Sequence, residues 1–568
     1  MRRLQYIIAA LVASVTIYAA NDIKRPDTYN YNRGLEELRN NNYDGALEYF
    51  NKEVAADSKN GYAYSWIAMI REYQEEYGRA LTAADLALKN LPKKDIEFLS
   101  ATYNIRAGVY LNLEDTVKAM SDYATSIKVA PKVEATYEKR AQIYFEQGNY
   151  ALADADYNMI KSLNQGSVMG YMGIGRNLKK QEKWEEAIKE FTYVTNLYSD
   201  YSQAFAYRAE CYIGLKEWAK ATDDIVTALS IDRSDAAFYL MQDLEEPAFG
   251  MLVAKFKIQS AKNPNEAVWP YYNGILYERK NKFAKAIEYY ETANKIDLSP
   301  YNYKRISNCY SEMGEYNRAI EFIDKAIEID STQTSYLVTK ANLYHEAGDT
   351  KAAIEAWDKY LQSDPEEAFG YYRRGWFKSL INDVDGAIED ETMCITLDPE
   401  YAYAYVTRGE LYKQQGKKEL ADEDFKKVIE LENTPDKYEC IHYAYHGLGQ
   451  DDKAIEAIDT IIGRAEEKKG AYYDAACLYS RMENKEKALD YLEKSLSEGY
   501  VRFNHIRADH DMDFIRNTKE FIDLLNKYEK KEEIDNSNAD VTGKETTISE
   551  VPFTKENGIC NVKCQING

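Results

Sequence analysis

A 34-residue period runs through this chain from about residue 30 to residue 500, and it constrains the fold more than any single residue does. An alanine that precedes an apolar-rich half-helix returns at each period, and most steps between these alanines are 33 or 34 residues. Self-similarity at this spacing predicts stacked helix–turn–helix units, none of which can bury its apolar face alone. The alanines are Ala46, Ala80, Ala119, Ala153, Ala187, Ala221, Ala286, Ala319, Ala353, Ala387, Ala421, Ala454 and Ala488.

The residue types within the period resemble those of the tetratricopeptide repeat family. The run YEKRAQIY from Tyr137, followed by Gly148, Ala153 and Tyr157, has the spacing of that family, and YVTRGELYKQQG from Tyr405 repeats it. The resemblance covers about fourteen units and implies an all-α, right-handed superhelical solenoid with a flexible C-terminal tail. It also implies a protein-binding function.

Tyrosine is unusually frequent, with 51 copies. Most of them fall at fixed positions of the repeat, which predicts that they fill the space between helices. The alternative is an aromatic groove for a peptide or a glycan, which would require exposed tyrosines.

The N-terminus is typical of an export signal. Arg2 and Arg3 precede an uncharged stretch that runs to Ala20, and its apolar part is short for a transmembrane helix. We therefore expect a cleaved signal peptide over residues 1–20 and a location in the periplasm or cell envelope. Retention of this segment as an uncleaved membrane anchor is the alternative.

The charge balance argues against some partners. Removal of residues 1–20 deletes Arg2 and Arg3 and no acidic residue, so the formal net charge of −23 becomes −25. An acidic surface repels phosphate backbones and anionic lipids, so nucleic acid is an unexpected partner. A protein or a basic peptide fits better, although the charge also serves the solubility of a long chain. No cofactor is expected.

Five cysteines lie singly in different repeats, at positions where a small apolar residue packs. Free buried thiols are therefore expected rather than disulfides. They are Cys211, Cys309, Cys394, Cys440 and Cys477.

An arginine on the first helix of five repeats is followed sixteen residues later by an aspartate on the second helix. We expect an ion pair between the two helices of one repeat, because a partly buried charge needs its partner. The alternative is a ladder of arginines that lines a binding groove. The pairs are Arg106 with Asp122, Arg140 with Asp156, Arg208 with Asp224, Arg374 with Asp390, and Arg408 with Asp424.

Signals for catalysis or metal binding are weak. His442 and His446 share a helical face, but the glutamate of a zinc-protease motif is missing. Asp509, Asp511, Asp513 and Glu520 match acidic positions of a calcium loop, yet Phe514 stands where a glycine is needed. We therefore predict no enzyme activity, no catalytic residue and no metal site in residues 21–530.

The last residues form a different region. From Ile559 apolar and polar residues alternate strictly, which predicts a strand, and the expected hairpin partner would follow Gly568. A strand after an exported repeat array and a polar linker resembles the opening of a retropepsin-like aspartic protease domain. The Asp-Thr-Gly or Asp-Ser-Gly motif of such enzymes is missing from the sequence, so the resemblance implies only a substrate-presenting role. A disordered tail is the alternative.

These patterns predict seven regions: a signal peptide (1–20), a first repeat block (21–245), a degenerate repeat or bend (246–266), a second block (267–500), capping helices (501–526), a linker (527–550), and a lone strand or disordered tail (551–568). The predicted function is an exported scaffold for protein–protein interaction. Its contact residues are expected where the first helix of a repeat faces away from the second. These candidates are Glu138, Gln142, Met172, Arg176, Tyr271, Tyr372, Trp376, Val406 and Glu410.

Overall fold

The computed structural model describes residues 23–529, 553–556 and 559–562. The chain divides into two compact units, one up to Leu252 and one from Val253 onward. The predicted signal peptide and most of the predicted linker lie outside the described residues.

The first unit consists of helices that pack mainly on their neighbours in the sequence. Its helices are α1 (Tyr29–Arg39), α2 (Tyr43–Ala56), α3 (Gly61–Tyr73), α4 (Tyr77–Asn90), α5 (Ile96–Asn112), α6 (Thr116–Val129), α7 (Glu134–Glu146), α8 (Tyr150–Leu163), α9 (Val168–Lys180), α10 (Trp184–Leu197), α11 (Ser202–Gly214), α12 (Trp218–Asp232) and α13 (Asp235–Gln242). Helix α14 (Ala248–Lys262) contains the division between the units.

The second unit continues the same pattern and ends in short capping helices. Its helices are α15 (Val268–Arg279), α16 (Phe283–Ile296), α17 (Pro300–Glu312), α18 (Tyr316–Ile329), α19 (Ser335–Glu346), α20 (Thr350–Ser363), α21 (Ala368–Leu380), α22 (Val384–Leu397), α23 (Ala402–Gln414), α24 (Lys418–Leu431), α25 (Ile441–Gly447), α26 (Asp451–Arg464), α27 (Lys468–Arg481), α28 (Lys485–Ser497), α29 (Phe503–Ala508), α30 (Asp513–Arg516) and α31 (519–529). Short 3-10 helices span Pro435–Lys437 and His510–Met512.

Between residues 29 and 497, all of which are described, the chain forms 28 α-helices; those from α1 to α12 and from α15 to α28 pack as thirteen consecutive pairs, whereas α13 packs on α11 and α12. The all-α solenoid predicted from the 34-residue period is therefore confirmed. The alanines that mark the period are buried almost completely, as Ala46, Ala153 and Ala319 illustrate. A small side chain at these positions lets the two helices of a unit approach closely.

Local sequence determines where the helices begin and end. Several begin at an asparagine or aspartate whose side chain accepts a hydrogen bond from a backbone N–H of the first turn, as Asn60 and Asp115 do. Others end at a left-handed residue, for example Gly148 with φ +73°. Glycine within a helix serves packing: a Cβ at Gly175 would lie 2.5 Å from the ring of Phe191.

The irregular region predicted between the two blocks contains the division between the units. Helix α13 has only eight residues, and Pro247 lies between α13 and α14. Pro270 does not interrupt a helix, because it lies in the first turn of α15, where a missing N–H costs little. The expected bend stays a prediction.

The tail differs from the expectation of a lone strand. Strand β1 (Phe553–Glu556) pairs antiparallel with β2 (Ile559–Val562), so the partner precedes the alternating segment instead of following it. The sequence argument considered only a turn at the chain end and missed the upstream strand. The role of this hairpin in a protease domain stays a prediction.

Among the helices of residues 23–529, none combines the length and the apolar character that crossing a bilayer requires.

Candidate functional site

The five predicted arginine–aspartate pairs lie in contact within their own repeats. In each pair the arginine donates from Nε and Nη2 to both carboxylate oxygens of the aspartate, over distances between 2.6 and 2.9 Å. The aspartates are only 5–8 % exposed and the arginines 14–21 %. This bidentate geometry supports the interpretation of these arginines as part of the scaffold.

Two further repeats contain only one charged member of such a pair. Arg33 has Tyr49 where the aspartate would stand, and its guanidinium lies 5.6 Å from the Tyr49 ring centre. Glu190 has Ile174 opposite it, and it accepts a hydrogen bond from Lys161 Nζ at 2.9 Å instead.

A groove runs along the second unit, on the side formed by the first helices of its repeats. Its volume is about 1860 Å³. Two residues one turn apart on each of four helices line it, and they return every 34 residues because the repeats stack in register. These are Lys304 and Asn308, Val338 and Asn342, Tyr372 and Trp376, and Val406 and Glu410.

Four of the predicted contact residues therefore line this groove, namely Tyr372, Trp376, Val406 and Glu410. Tyr271 is not among the lining residues, and its ring lies 5.9 Å from that of Tyr290. The paired arginines Arg374 and Arg408 are also outside the lining, so they do not form the alternative ladder in this groove.

The other four predicted contact residues belong to the first unit. Arg176 donates to Gln142 Oε1 at 3.5 Å, and its guanidinium lies 4.9 Å from the Phe145 ring centre. Met172 is 6 % exposed and packs in the hydrophobic core, so it offers little surface to a ligand. Glu138 lies close enough to Tyr157 for its charge to raise the pKa of that phenol, after the larger effect of burial. Their role in binding stays a prediction.

The capping segment does more than cover the last repeat. Ile506 and Met512 are buried in the core that α27 and α28 form with this segment. On its other side, the His505 ring lies 5.6 Å from Tyr473, 6.2 Å from Trp376 and 6.3 Å from His345. A segment that follows the last repeat thus reaches α19 and α21, several repeats away, whereas the repeats themselves pack mainly on their neighbours in the sequence.

Basic side chains gather around Trp376 in this part of the groove. Arg373 Nη2 donates to Asn342 Oδ1 at 3.2 Å, and its guanidinium lies 5.0 Å from the Trp376 ring centre and 5.3 Å from that of Phe377. Burial lowers the pKa of Arg373. No carboxylate of the described residues lies within the 4 Å ion-pair distance of this guanidinium.

His345 stands beside Arg373 and stacks edge-on against Trp376, with ring centres 5.2 Å apart. Its Nδ1 atom is buried and has no hydrogen-bond partner. Burial, together with the smaller effects of His505 and Arg373, lowers the pKa of His345 to about 4. The pKa of His505 is also lowered, mainly by burial, so both imidazoles are neutral at pH 7.

Acidic groups lie on two sides of this basic cluster. Partial loss of hydration raises the pKa values of Glu312 and Glu346, the charge of Glu278 adds to the shift of Glu312, and the Arg502 charge partly opposes both shifts. At the other end, burial and the charges of Asp511 and Asp509 raise the pKa of Asp474 to about 7.

The residues that resembled metal ligands do not converge as a calcium loop would require. Asp509 and Asp511 lie beside Cys477, but Asp513 pairs with Arg516 at 2.7 Å and Glu520 pairs with Lys485 at 2.8 Å. His442 is completely buried, whereas His446 Nδ1 lies 2.9 Å from Asp451 Oδ1. All five repeat cysteines are free and buried, as predicted.

Sequence reasoning missed Arg373, His345 and His505. The 34-residue period could have indicated the first two. Arg373 follows Tyr372 directly and His345 lies one helical turn after Asn342, and both Tyr372 and Asn342 are groove-lining positions that recur every 34 residues. His505 lies outside the repeats, so no period indicates its position.

Comparison with known proteins agrees with the fold. Tetratricopeptide repeat models match residues 274–300, 302–333, 402–435 and 470–498, and a second such model matches residues 31–95. The chain is similar to a chloroplastic protein of Arabidopsis thaliana, with 30 % identity over 107 residues, which is 18 % of this chain and 31 % of that protein. A "DnaJ homolog subfamily C member 7 homolog" of Dictyostelium discoideum is 28 % identical over 164 residues, 26 % of this chain and 30 % of that protein.

The matched segments span about a third of the length of these relatives. Among solved structures, YrrB, described as a TPR protein with an unusual peptide-binding site, aligns at 17 % identity with a TM-score of 0.29, over 34 % of this chain and 97 % of YrrB. The repeat matches and the paired helices lead to the same result: the matched segments are tetratricopeptide repeats, and the chain has the fold of a tetratricopeptide repeat solenoid.

Proposed function

We propose that this chain is a scaffold that binds a segment of a partner protein in the groove of the second unit. The groove is lined by side chains from successive repeats, including aromatic and charged residues. Because the backbone groups of the lining helices are already paired within those helices, recognition would depend on side-chain contacts rather than on addition of a strand.

The observation that carries this proposal is the position of the capping segment. Residues 503–508 of the chain itself lie against α19, α21 and α27 through His505. The groove surface is thus compatible with a peptide that contacts several repeats at once. The remaining groove volume of about 1860 Å³ leaves room for a further segment.

Selection from a random dodecapeptide library displayed with free carboxyl termini tests the proposal. The full chain is used as bait, beside a Trp376→Ala variant that removes an aromatic wall of the groove. Tyr239→Ala is the matched control, because Tyr239 is an aromatic residue that is 69 % exposed in the first unit. We expect enriched peptides that bind the wild-type chain and the control but bind Trp376→Ala at least tenfold more weakly. Enrichment that is independent of Trp376 would contradict the proposal.

We also propose that the scaffold acts after export, in the periplasm or cell envelope. Support comes from the charged start and apolar stretch of residues 1–20. Mass spectrometry of the protein from its native host tests this, and we expect a mature N-terminus near Asn21. A mature chain that still carries Leu4–Val15 would contradict cleavage.

A further inference from the structure

We propose that a pocket between α3 and α5 of the first unit is a binding site for the guanidinium group of an arginine on another protein. The pocket is formed by Tyr62, Asp95, Glu97 and Phe98. In the structure it holds Arg25 of the chain itself. An arginine on an extended segment of a partner takes the same place when residues 23–26 detach. This site is separate from the groove of the second unit and shares no residue with it.

The position of Arg25 shows which group the pocket fits. Its Nε and Nη2 atoms donate to the two carboxylate oxygens of Asp95, at 3.0 and 3.2 Å. Nη2 also donates to Glu97 Oε2 at 2.8 Å, and the guanidinium lies 4.9 Å from the Phe98 ring centre. Two carboxylates and an aromatic ring suit the flat, forked donor set of arginine better than the compact ammonium of lysine.

The floor of the pocket is held in place without Arg25. Asp95 is 1 % exposed, and it also accepts hydrogen bonds from the Tyr62 hydroxyl at 3.0 Å and from the Phe98 backbone N–H at 3.3 Å. Burial, and then the charge of Asp95, raise the pKa of Tyr62, so this phenol stays protonated and remains a donor at pH 7. Both donors belong to the repeat helices, so the carboxylate keeps its position when the arginine leaves, and binding requires little reordering.

The segment that carries Arg25 is attached to the repeats mainly through this side chain. Residues 23–26 lie outside the helices, and their backbone makes no hydrogen bond to the backbone of any described residue. The next anchor is Thr28, whose hydroxyl donates to Glu53 Oε2 at 2.6 Å and caps the first helix. Arg25 can therefore leave the pocket without opening α1. The five ion pairs within repeats differ, because both of their partners lie on packed helices.

Exposure and charge show how a partner would enter. Glu97 at the rim is 39 % exposed and Arg25 is 20 % exposed, whereas Asp95 lies at the closed end. The formal net charge of −23 attracts a basic segment. The tethered Arg25 competes at an effective concentration of about 1 mM. A partner segment displaces it only when contacts outside the pocket add to its affinity.

A peptide that copies residues 23–28 of the chain and carries an N-terminal fluorescein tests the site. Fluorescence anisotropy gives its affinity for the full chain and for the Arg25→Ala variant. We expect the variant to bind the peptide at least tenfold more tightly than the wild-type chain does, because its pocket is vacant. Equal affinities, or a folded variant that does not bind, would overturn the proposal.

Changes in the peptide show whether the guanidinium is what the pocket recognises. A peptide with Arg25→Gln should bind the Arg25→Ala chain at least tenfold more weakly than the unchanged peptide. A peptide with Arg25→Lys should lie between the two, since an ammonium keeps the charge but not the paired donors. An affinity that is the same for all three peptides would contradict an arginine site.

A second change in the chain tests the floor of the pocket. Asp95→Asn, added to Arg25→Ala, should weaken the unchanged peptide at least tenfold. Glu48→Gln is the matched control, since it removes an exposed carboxylate of the same unit that pairs with Lys52. Circular dichroism shows whether each variant folds. If Arg25→Ala does not fold, the wild-type chain decides at higher peptide concentration: binding that Asp95→Asn removes supports the site, and binding that it leaves unchanged overturns it.

Discussion

Arg373 and Arg374 are neighbours on α21, but they face two different regions of the molecule. Arg374 lies between the helices of its repeat, where it bonds both oxygens of Asp390 and also Asp358 Oδ1 at 2.7 Å. Arg373 faces the groove, where it meets two aromatic rings and the Asn342 amide oxygen. The difference separates a charge whose carboxylate partner lies inside its own repeat from a charge that faces the groove.

The repeat that contains Ile306 supports this distinction. Ile306 stands at the arginine position and is completely buried, while Phe322 stands at the aspartate position and stacks on Tyr310 with ring centres 5.3 Å apart. The same helix contact can therefore be made by an ion pair or by apolar packing. An arginine whose aspartate partner lies on the other helix of the same repeat therefore belongs to the packing of the scaffold.

The largest effect is expected when one arginine–aspartate ion pair between the two helices of a repeat is removed. Asp156→Ala leaves Arg140 half-buried without its carboxylate, and we expect the local free energy of unfolding to fall by about 2–4 kcal/mol. Hydrogen exchange of α7 and α8 measures it. The double variant Arg140→Ile with Asp156→Phe should lose much less, and an equal loss would show that the pair contributes little by itself.

A smaller difference is expected between the two neighbouring arginines. Arg374→Met should destabilise the second unit by about 1–3 kcal/mol, because Asp390 keeps only Lys378 at 2.8 Å as a partner. Arg373→Met should change stability by less than about 1 kcal/mol, since it breaks no ion pair. Urea denaturation of the full-length variants gives both values. The comparison is wrong if Arg373→Met is the more damaging change.

The smallest effect concerns the acidic end of the groove and depends on pH. The pKa of Asp474 is raised to about 7, above its unfolded value near 4, so its ionised form is disfavoured in the folded state. The resulting destabilisation is absent below about pH 4 and grows as pH rises through 7. Asp474→Asn should therefore raise the melting temperature at pH 8, by the equivalent of about 1–2 kcal/mol, and have little effect at pH 4.5. Equal effects at both pH values would contradict the shift.

The sequence was sufficient for much of the fold because the repeat determines it locally. Ala153, Tyr157 and Asp156 recur at fixed offsets, so helix pairs and their internal ion pairs follow from spacing alone. The same spacing led to Tyr372, Trp376, Val406 and Glu410 of the groove.

Other features depend on contacts that no period encodes. The approach of His505 to His345 joins residues 160 positions apart, after the repeats have ended. The burial of Met172 depends on how its neighbours pack around it. The pairing of β2 with an upstream strand depends on residues that show no alternation.

The central claim is that the groove of the second unit binds a protein segment in contact with Trp376. Hydrogen–deuterium exchange of the full chain, with and without a peptide selected from the dodecapeptide library, tests it most directly. We predict that the peptide slows exchange in α19 and α21, and that Trp376→Ala removes this protection while Tyr239→Ala does not. Protection confined to other helices, or protection that Trp376→Ala leaves unchanged, would contradict the account.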